Sequence, residues 1–127
     1  MLAAAVATLA LASGAVAAGP RVTLTISIWA DGDASATPRV WTLRCAPVGG
    51  TLPARQRACR VLGQGGWDLF EPVPGDAVCM EIYGGPQVAL VRGRLGDRRV
   101  WARFTRTDGC QIARWTRLAA LLPLGVS

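Results

Sequence analysis

Four widely spaced cysteines constrain this 127-residue chain more than any other feature of its sequence. They are Cys45, Cys59, Cys79 and Cys110, and no two of them form a CxxC pair. A four-thiolate zinc site usually contains two close pairs, so the spacing argues against a structural metal ion. An even number of cysteines in a small exported domain indicates two disulfides instead, and the spacing alone leaves all three pairings open.

The start of the chain predicts export. Residues 2–18 carry no charge, and Ala15-Val16-Ala17 matches the small-x-small pattern of a cleavage site. The apolar stretch from Leu2 to about Ser13 has the length of a secretory signal core, whereas a membrane span needs about 20 strongly apolar residues. We predict a signal peptide at 1–17, a secreted extracellular domain at 18–127, and no membrane contact after signal removal. A single anchoring helix is the alternative for this stretch.

The composition excludes most catalytic machinery. The chain has no histidine, which removes Ser-His-Asp and Cys-His catalysis and histidine-ligated metals. All 14 basic residues are arginine, so lysine Schiff bases and P-loop phosphate binding are also excluded. We therefore predict that the protein is not an enzyme and needs no cofactor. The net charge of +6 favours acidic partners electrostatically but does not indicate a fold.

Alternation of apolar and polar residues predicts antiparallel strands. Val22, Leu24, Ile26 and Ile28 share one face of the first strand, and polar residues share the other. Three further strands are predicted at 40–45, 88–92 and 98–106, and the last two flank a hairpin connection at 93–97.

Two short helices complete the predicted α+β domain. Pro53 opens a helical stretch that runs to about Gln64 and is ended by Gly65-Gly66. Asp108 is the predicted N-cap of a final helix that continues to Leu118. The Gly49-Gly50 pair is interpreted as a break between elements.

The segment from Trp67 to Tyr83 follows neither the helical nor the strand period. Prolines and a glycine among its apolar residues indicate an extended loop of fixed conformation. The segment ends in Cys79-Met80-Glu81-Ile82-Tyr83 and is followed by Gly84-Gly85-Pro86. A short run that is pinned by a cysteine and bounded by turn residues is typical of a rigid, exposed loop.

Arginines are densest around the predicted hairpin. A surface for single-stranded nucleic acid needs exposed aromatic residues interleaved with the positive charge, and only Trp101 meets that requirement. We interpret the cluster as a solvated strand face and expect no nucleic-acid partner. Its members are Arg92, Arg94, Arg98, Arg99, Arg103 and Arg106.

Several of these residues together resemble the Streptomyces subtilisin inhibitor family. The resemblance rests on the TLRCAP run at Thr42–Pro47, Ala58-Cys59, Gly65-Gly66 with Asp68-Leu69, and the VCMEIY run at Val78–Tyr83. It extends over about Val22 to Trp115. Membership would imply a five-stranded antiparallel sheet with two short helices, and often a homodimer. It would also imply the disulfides Cys45–Cys59 and Cys79–Cys110.

The family inhibits extracellular serine proteases with a substrate-like loop. Its reactive bond begins two residues after the third cysteine, which here implies the bond Glu81–Ile82. Glu81 would enter the primary pocket of the protease, Met80 and Tyr83 would flank it, and Cys79 would tie the loop to the body of the domain. The implied partner is an extracellular serine protease, either subtilisin-like or glutamate-specific.

The sequence departs from the family pattern at three places. Met80 stands where proline is common, one extra glycine follows Tyr83, and Glu81 stands where methionine, lysine or arginine is more familiar. A carboxylate without a partner in an apolar pocket costs several kcal/mol. Glutamate-preferring proteases are therefore reasonable targets. The alternative is a non-inhibitory secreted module that keeps the scaffold and uses its arginines to bind anionic surfaces.

Overall fold

The computed structural model describes residues 3–8 and 19–124. Most of the predicted signal peptide at 1–17, including its cleavage site, lies outside the described residues. Within the described ranges, no helix combines the length and the apolar character that a membrane crossing requires.

A five-stranded antiparallel sheet forms the body of the domain, in the strand order β3-β2-β1-β4-β5. The strands are β1 (Val22–Trp29), β2 (Arg39–Cys45), β3 (Gly49–Gly50), β4 (Val88–Leu95) and β5 (Arg98–Phe104). β1 lies in the centre, where its backbone pairs antiparallel with β2 on one side and with β4 on the other. The predicted α+β class with five antiparallel strands is confirmed.

Two α-helices and one short 3₁₀ helix accompany the sheet. α1 (Arg55–Gly65) and the 3₁₀ helix (Gly66–Phe70) lie between β3 and β4 in the chain, and α2 (Gly109–Arg117) follows β5. The predicted N-cap of α2 is confirmed, since the Asp108 carboxylate accepts a hydrogen bond from the Gln111 backbone N–H at 2.9 Å. α1 begins at Arg55, two residues later than predicted, and no side chain caps it.

Three local predictions were wrong. The Gly49-Gly50 pair forms strand β3 against Leu43 and Arg44 of β2 and is not merely a break. Residues 66–70 form a 3₁₀ helix and are not extended. The β4–β5 turn is shorter than the predicted 93–97 connection, because the ladder continues to the Leu95–Arg98 pair. The glycine pair has a weak strand propensity of its own, and its pairing with β2 stabilises it as a strand.

The hydrophobic core lies between one face of the sheet and the helices. Leu24 and Ile26 of β1, Leu62 of α1 and Trp115 of α2 are all buried in the same cluster. Phe70 of the 3₁₀ helix meets Phe104 of β5 edge to face, with ring centroids 6.5 Å apart. The opposite face of the sheet carries Arg92 and Arg94 of β4 with Arg99 and Arg103 of β5 and faces solvent. Arg98 of β5 lies instead on the side of the helices, with its guanidinium 4.0 Å from the ring centroid of Trp67.

Both disulfides have the pairing that the family resemblance implied. Cys45 at the end of β2 is bonded to Cys59 of α1, and Cys79 is bonded to Cys110 of α2. The first disulfide holds α1 against the sheet. The second joins the segment between the 3₁₀ helix and β4 to the first turn of α2.

Candidate functional site

Residues 71–87, here called the candidate loop, connect the 3₁₀ helix to β4 without a helix or strand of their own. Four of the nine large apolar side chains that are exposed among the described residues lie within Val78–Tyr83. Val78 is fully exposed, Met80 is 70% exposed and Tyr83 is 67% exposed. Contiguous exposed apolar groups on a small domain indicate a surface that binds another molecule.

The carbonyl oxygen of Met80 is the central attachment point of the candidate loop. It accepts a hydrogen bond from the Gly109 backbone N–H at 2.8 Å and another from the Ile82 backbone N–H at 2.9 Å. The first bond ties the loop to the N-terminus of α2. The second closes a tight turn centred on Glu81, whose side chain is exposed.

A second attachment follows on the other side of Glu81. The Gly84 backbone N–H donates to the carbonyl oxygen of Arg106 at 2.8 Å. A Cβ atom on Gly84 would lie 2.8 Å from Cδ1 of Ile112, so the backbone packs directly on α2 and a side chain would displace it. Gly85 has a φ of +137°, which fits the glycine at this position.

The Cys79–Cys110 disulfide is the third attachment, and all three attachments end on the short stretch from Arg106 to Cys110. The exposed side chains of Met80, Glu81, Ile82 and Tyr83 therefore project from a backbone held on both sides. An exposed loop whose own contacts restrain it loses little conformational freedom when it binds.

Arg114 of α2 holds the start of the candidate loop. Its guanidinium donates to the carbonyl oxygens of Phe70 at 2.9 Å and Glu71 at 2.8 Å, and also to that of Arg103 at 2.6 Å. Arg114 is only 5% exposed, and its guanidinium lies 4.0 Å from the ring centroid of Phe104. Desolvation in this setting, with a smaller contribution from nearby Arg117, lowers the pKa of Arg114 below its usual value.

Comparison with known proteins assigns the family. The family model described as subtilisin inhibitor-like matches residues 18–105. The chain belongs to the subtilisin inhibitor-like family. It is 36% identical over 82 residues to subtilisin inhibitor-like protein 1 of Streptomyces cacaoi, an alignment that covers 61% of this chain and 74% of that protein.

A solved structure of similar fold is the complex of Streptomyces caespitosus sermetstatin with Bacillus licheniformis subtilisin. The alignment has a TM-score of 0.55 and 25% sequence identity. It covers 84% of this subtilisin inhibitor-like chain and 100% of the matched chain.

The subtilisin inhibitor-like fold brings together the residues that the sequence analysis selected in the candidate loop. Cys79, Met80, Glu81, Ile82 and Tyr83 are consecutive on one protruding turn, and Cys110 lies directly beneath them. Cys45 and Cys59 belong instead to the α1 side of the domain and stabilise the core.

The sequence analysis named Gly84 only as a turn residue and did not select Gly109 or Arg114. The two glycines have no side chain to give a signal, and their importance lies in close backbone approach to α2 and to Met80. Arg114 had a weak signal, because it follows Cys110 by four positions and so shares the helix face that carries the cysteine.

One group of potential ligands lies beside the candidate loop, namely Cys79, Asp108 and Cys110, whose ligand atoms lie within 4.8 Å of one another. Both sulfur atoms are in the disulfide, so neither is available as a thiolate. The Asp108 carboxylate is engaged as the N-cap of α2. This group therefore stabilises the loop and is not suited to bind a metal ion.

Proposed function

We propose that this chain is a secreted inhibitor of extracellular serine proteases, and that Glu81–Ile82 is its reactive bond. The observation that carries the proposal is the double hydrogen bond to the Met80 carbonyl oxygen, from Gly109 and from Ile82. It restrains the backbone on both sides of Glu81 while the Glu81 side chain remains exposed. Family membership and the matched inhibitor–subtilisin complex support the same proposal.

In this mechanism the candidate loop occupies the protease active site as a substrate would. Glu81 enters the primary pocket, and the serine of the protease attacks the Glu81 carbonyl carbon. The leaving group is the backbone nitrogen of Ile82, the same atom that donates to the Met80 carbonyl. A leaving group held close to the acyl carbon reacts with it again more readily than a free peptide would. Cleavage is therefore reversible, and the loop is resealed before it departs.

The apolar side chains next to the proposed bond supply contact area. Met80, Ile82 and Tyr83 are exposed in the free protein, so a protease surface can cover them without rearrangement of the inhibitor core. Burial of apolar side chains contributes about 25 cal/mol for each Å² removed from water. Tyr83 is the best anchor among them, because tyrosine is enriched at binding hot spots.

Glu81 decides which protease is bound most tightly. Its carboxylate is stabilised in a pocket that offers cationic or hydrogen-bonding groups, and it is left unpaired in an apolar pocket. We therefore propose a glutamate-specific serine protease as the preferred target and a subtilisin-like protease with an apolar pocket as a weaker one.

The direct test is a titration of the purified mature protein against glutamate-specific, subtilisin-like and chymotrypsin-like proteases. We expect stoichiometric inhibition of the glutamate-specific enzyme, followed on long incubation at mildly acid pH by one nick between Glu81 and Ile82. Rapid cleavage at many positions would identify an ordinary substrate. A single nick between Met80 and Glu81 would keep the inhibitor function but shift the reactive bond by one residue.

Export is part of the proposal. The apolar leader at 1–17 would be removed, and the two disulfides suit an oxidising extracellular environment. N-terminal sequencing of the protein from culture medium, with residue 18 as the expected first residue, tests this step.

A second candidate function is binding of anionic surfaces through the outer face of the sheet. The strand pairing places Arg44, Arg92, Arg94, Arg99 and Arg103 on that face, and none of the strands contains an acidic residue. Arg94 lies directly opposite Arg99, and a bound anion would relieve the repulsion of this like-charge pair.

The same arginines bear on a possible homodimer. Two copies packed with the outer faces of their sheets in contact would bring these arginines close together. We therefore expect a homodimer to use another surface or to include bound anions.

Retention on a sulfated polysaccharide column tests this candidate. We expect elution to shift to lower salt in an Arg92→Gln, Arg99→Gln double variant, while inhibition of the protease is unchanged. Unchanged elution would exclude the outer face as an anion-binding surface. If the protein is retained on the column but inhibits no protease, the non-inhibitory module is the better assignment.

A further inference from the structure

Arg114 is a charged side chain in the interior of the domain, 5% exposed, and no carboxylate of the described residues pairs with it. A buried guanidinium keeps its charge, so its stabilisation has to come from the groups it contacts. Those groups are three backbone carbonyl oxygens and the face of the Phe104 ring. Burial of this charged group costs desolvation free energy, which its hydrogen bonds to the backbone have to offset.

Two of the three carbonyl oxygens, those of Phe70 and Glu71, lie where the 3₁₀ helix ends and the candidate loop begins. The last carbonyls of a helix have no partner within it, and they carry partial negative charge. The planar guanidinium can reach adjacent acceptors at once with parallel N–H groups, which an ammonium group cannot do. Arg114 therefore fixes both the position and the direction of the chain at the entry to the loop.

The third carbonyl oxygen belongs to Arg103 in β5. Arg114 thus joins three elements: the end of the 3₁₀ helix, strand β5 and helix α2. It also lies one helical turn after Cys110, on the helix that carries both the loop disulfide and the Gly109 N–H bonded to Met80. The entry to the loop and the residues around Glu81 are consequently held by one rigid helix.

We infer that Arg114 is a positioning residue that determines how long the inhibitor survives in its complex with the protease. This inference rests on the proposed inhibitory function. When the entry to the candidate loop is held, the two chain ends produced by cleavage stay close together, and the Glu81–Ile82 bond can form again. Without Arg114, α2 loses its hydrogen bonds to β5 and to the end of the 3₁₀ helix. The disulfide and the Gly109–Met80 hydrogen bond then stand on a helix that is less firmly placed, and the acyl end can drift from the Ile82 nitrogen. Loss of Arg114 therefore makes the protein behave more like an ordinary substrate, which the protease hydrolyses and releases.

The experiment uses the mature protein and a glutamate-specific serine protease. It measures the inhibition constant and, separately, the first-order rate of net hydrolysis of the Glu81–Ile82 bond in the complex. The variants are Arg114→Met and Arg114→Lys, where the lysine keeps the charge but loses the planar fork. Arg117→Met removes an exposed arginine from the same helix as the matched control. Leu43→Ala, at a buried position of β2, supplies a destabilised protein in which the candidate loop keeps its attachments to α2.

All variants are assayed at a temperature at which their circular dichroism shows complete folding. We expect Arg114→Met and Arg114→Lys to raise the net hydrolysis rate at least about tenfold, the scale of one lost charge-assisted hydrogen bond. The net hydrolysis rates of Arg117→Met and Leu43→Ala should stay within about twofold of the wild-type rate. If Arg114→Met does not fold, Arg114→Lys alone decides the result.

Equal hydrolysis rates in the Arg114 and Arg117 variants would overturn the inference. So would an equal increase in Leu43→Ala, because the effect would then follow global stability. Failure of the proposed function is recognised separately, since in that case the wild-type protein itself would be degraded without inhibiting the enzyme.

Discussion

Gly109 packs so closely against Met80 that a Cβ atom on the glycine would lie 3.2 Å from the Met80 Cβ and 3.3 Å from the Met80 carbonyl oxygen. The same glycine donates its backbone N–H to that oxygen. The candidate loop and the first turn of α2 are therefore in direct backbone contact, one residue before the proposed reactive bond. The position of Glu81 is set by this contact as much as by the neighbouring disulfide.

Gly109→Ala is expected to weaken inhibition because the added methyl group pushes Met80 outward by a few tenths of an ångström. Overpacking of this kind costs about 1–3 kcal/mol, which corresponds to a rise in the inhibition constant of about fivefold to about a hundredfold. The measurement is the inhibition constant of the purified variant. Gly63→Ala in α1 is the control, because its Cβ would meet open space and should leave inhibition unchanged. Equal constants for the two variants would show that the contact does not position the loop.

Glu81→Met should invert the preference of the inhibitor between proteases. Removal of the carboxylate is expected to lower the affinity for a glutamate-specific enzyme by at least about 2 kcal/mol, the scale of an interface hot spot. Affinity for an enzyme with an apolar pocket should rise, because no charge then has to be desolvated. The check is a pair of inhibition constants for each variant.

Asp76→Asn is the matched control for that experiment, since it removes a charge from an exposed position in the same loop. It should change both inhibition constants by a similar small factor. If Glu81→Met behaves like Asp76→Asn, Glu81 does not occupy the primary pocket of the protease.

Removal of the two disulfides should have separable effects. On the chain-entropy model each contributes about 3–4 kcal/mol, so Cys45→Ala with Cys59→Ala and Cys79→Ala with Cys110→Ala should lower the free energy of unfolding by similar amounts. Only the Cys79 and Cys110 variant loses an attachment of the candidate loop. We expect that variant alone to be cleaved rapidly at the loop by a protease that the wild type inhibits. Mass spectrometry of timed digests, at a temperature at which both variants are folded, compares the two.

Arg99→Glu should stabilise the protein. Arg99 lies directly opposite Arg94 on the outer face of the sheet, and an opposite-charge pair would replace a like-charge pair. The expected gain in the free energy of unfolding is about 0.2–1 kcal/mol and should decrease with added salt. Urea denaturation at two ionic strengths measures it. Arg44→Glu makes the same charge change opposite Thr23 and should give a smaller gain.

Short-range sequence patterns were sufficient to identify the four longer strands and the two α-helices of the fold. The alternation from Val22 to Ile28 identifies a strand with one buried face, because successive side chains of a strand point to opposite sides. Asp108 identifies the start of α2, because its carboxylate satisfies a backbone N–H that the helix leaves unpaired. The candidate loop was recognised from its prolines, its cysteine and its lack of either period.

The disulfide pairing could not be derived from spacing. Three pairings were open, and the resemblance to a family selected the pairing that the structure has. The loop-closure entropy varies only slowly with loop length. The three pairings therefore differ too little in free energy for the spacing to select one of them.

The sequence by itself therefore determined the four longer strands, the capped helix and the exposed run from Cys79 to Tyr83. Only the tertiary structure decided how that run is held. Strand β3 depends on its pairing with β2, the Met80 carbonyl depends on Gly109, and the entry to the loop depends on Arg114, which follows Glu71 by 43 positions. Local propensity acts over a few neighbouring residues. Close backbone approach and a buried guanidinium act between residues that become neighbours only when the chain has folded.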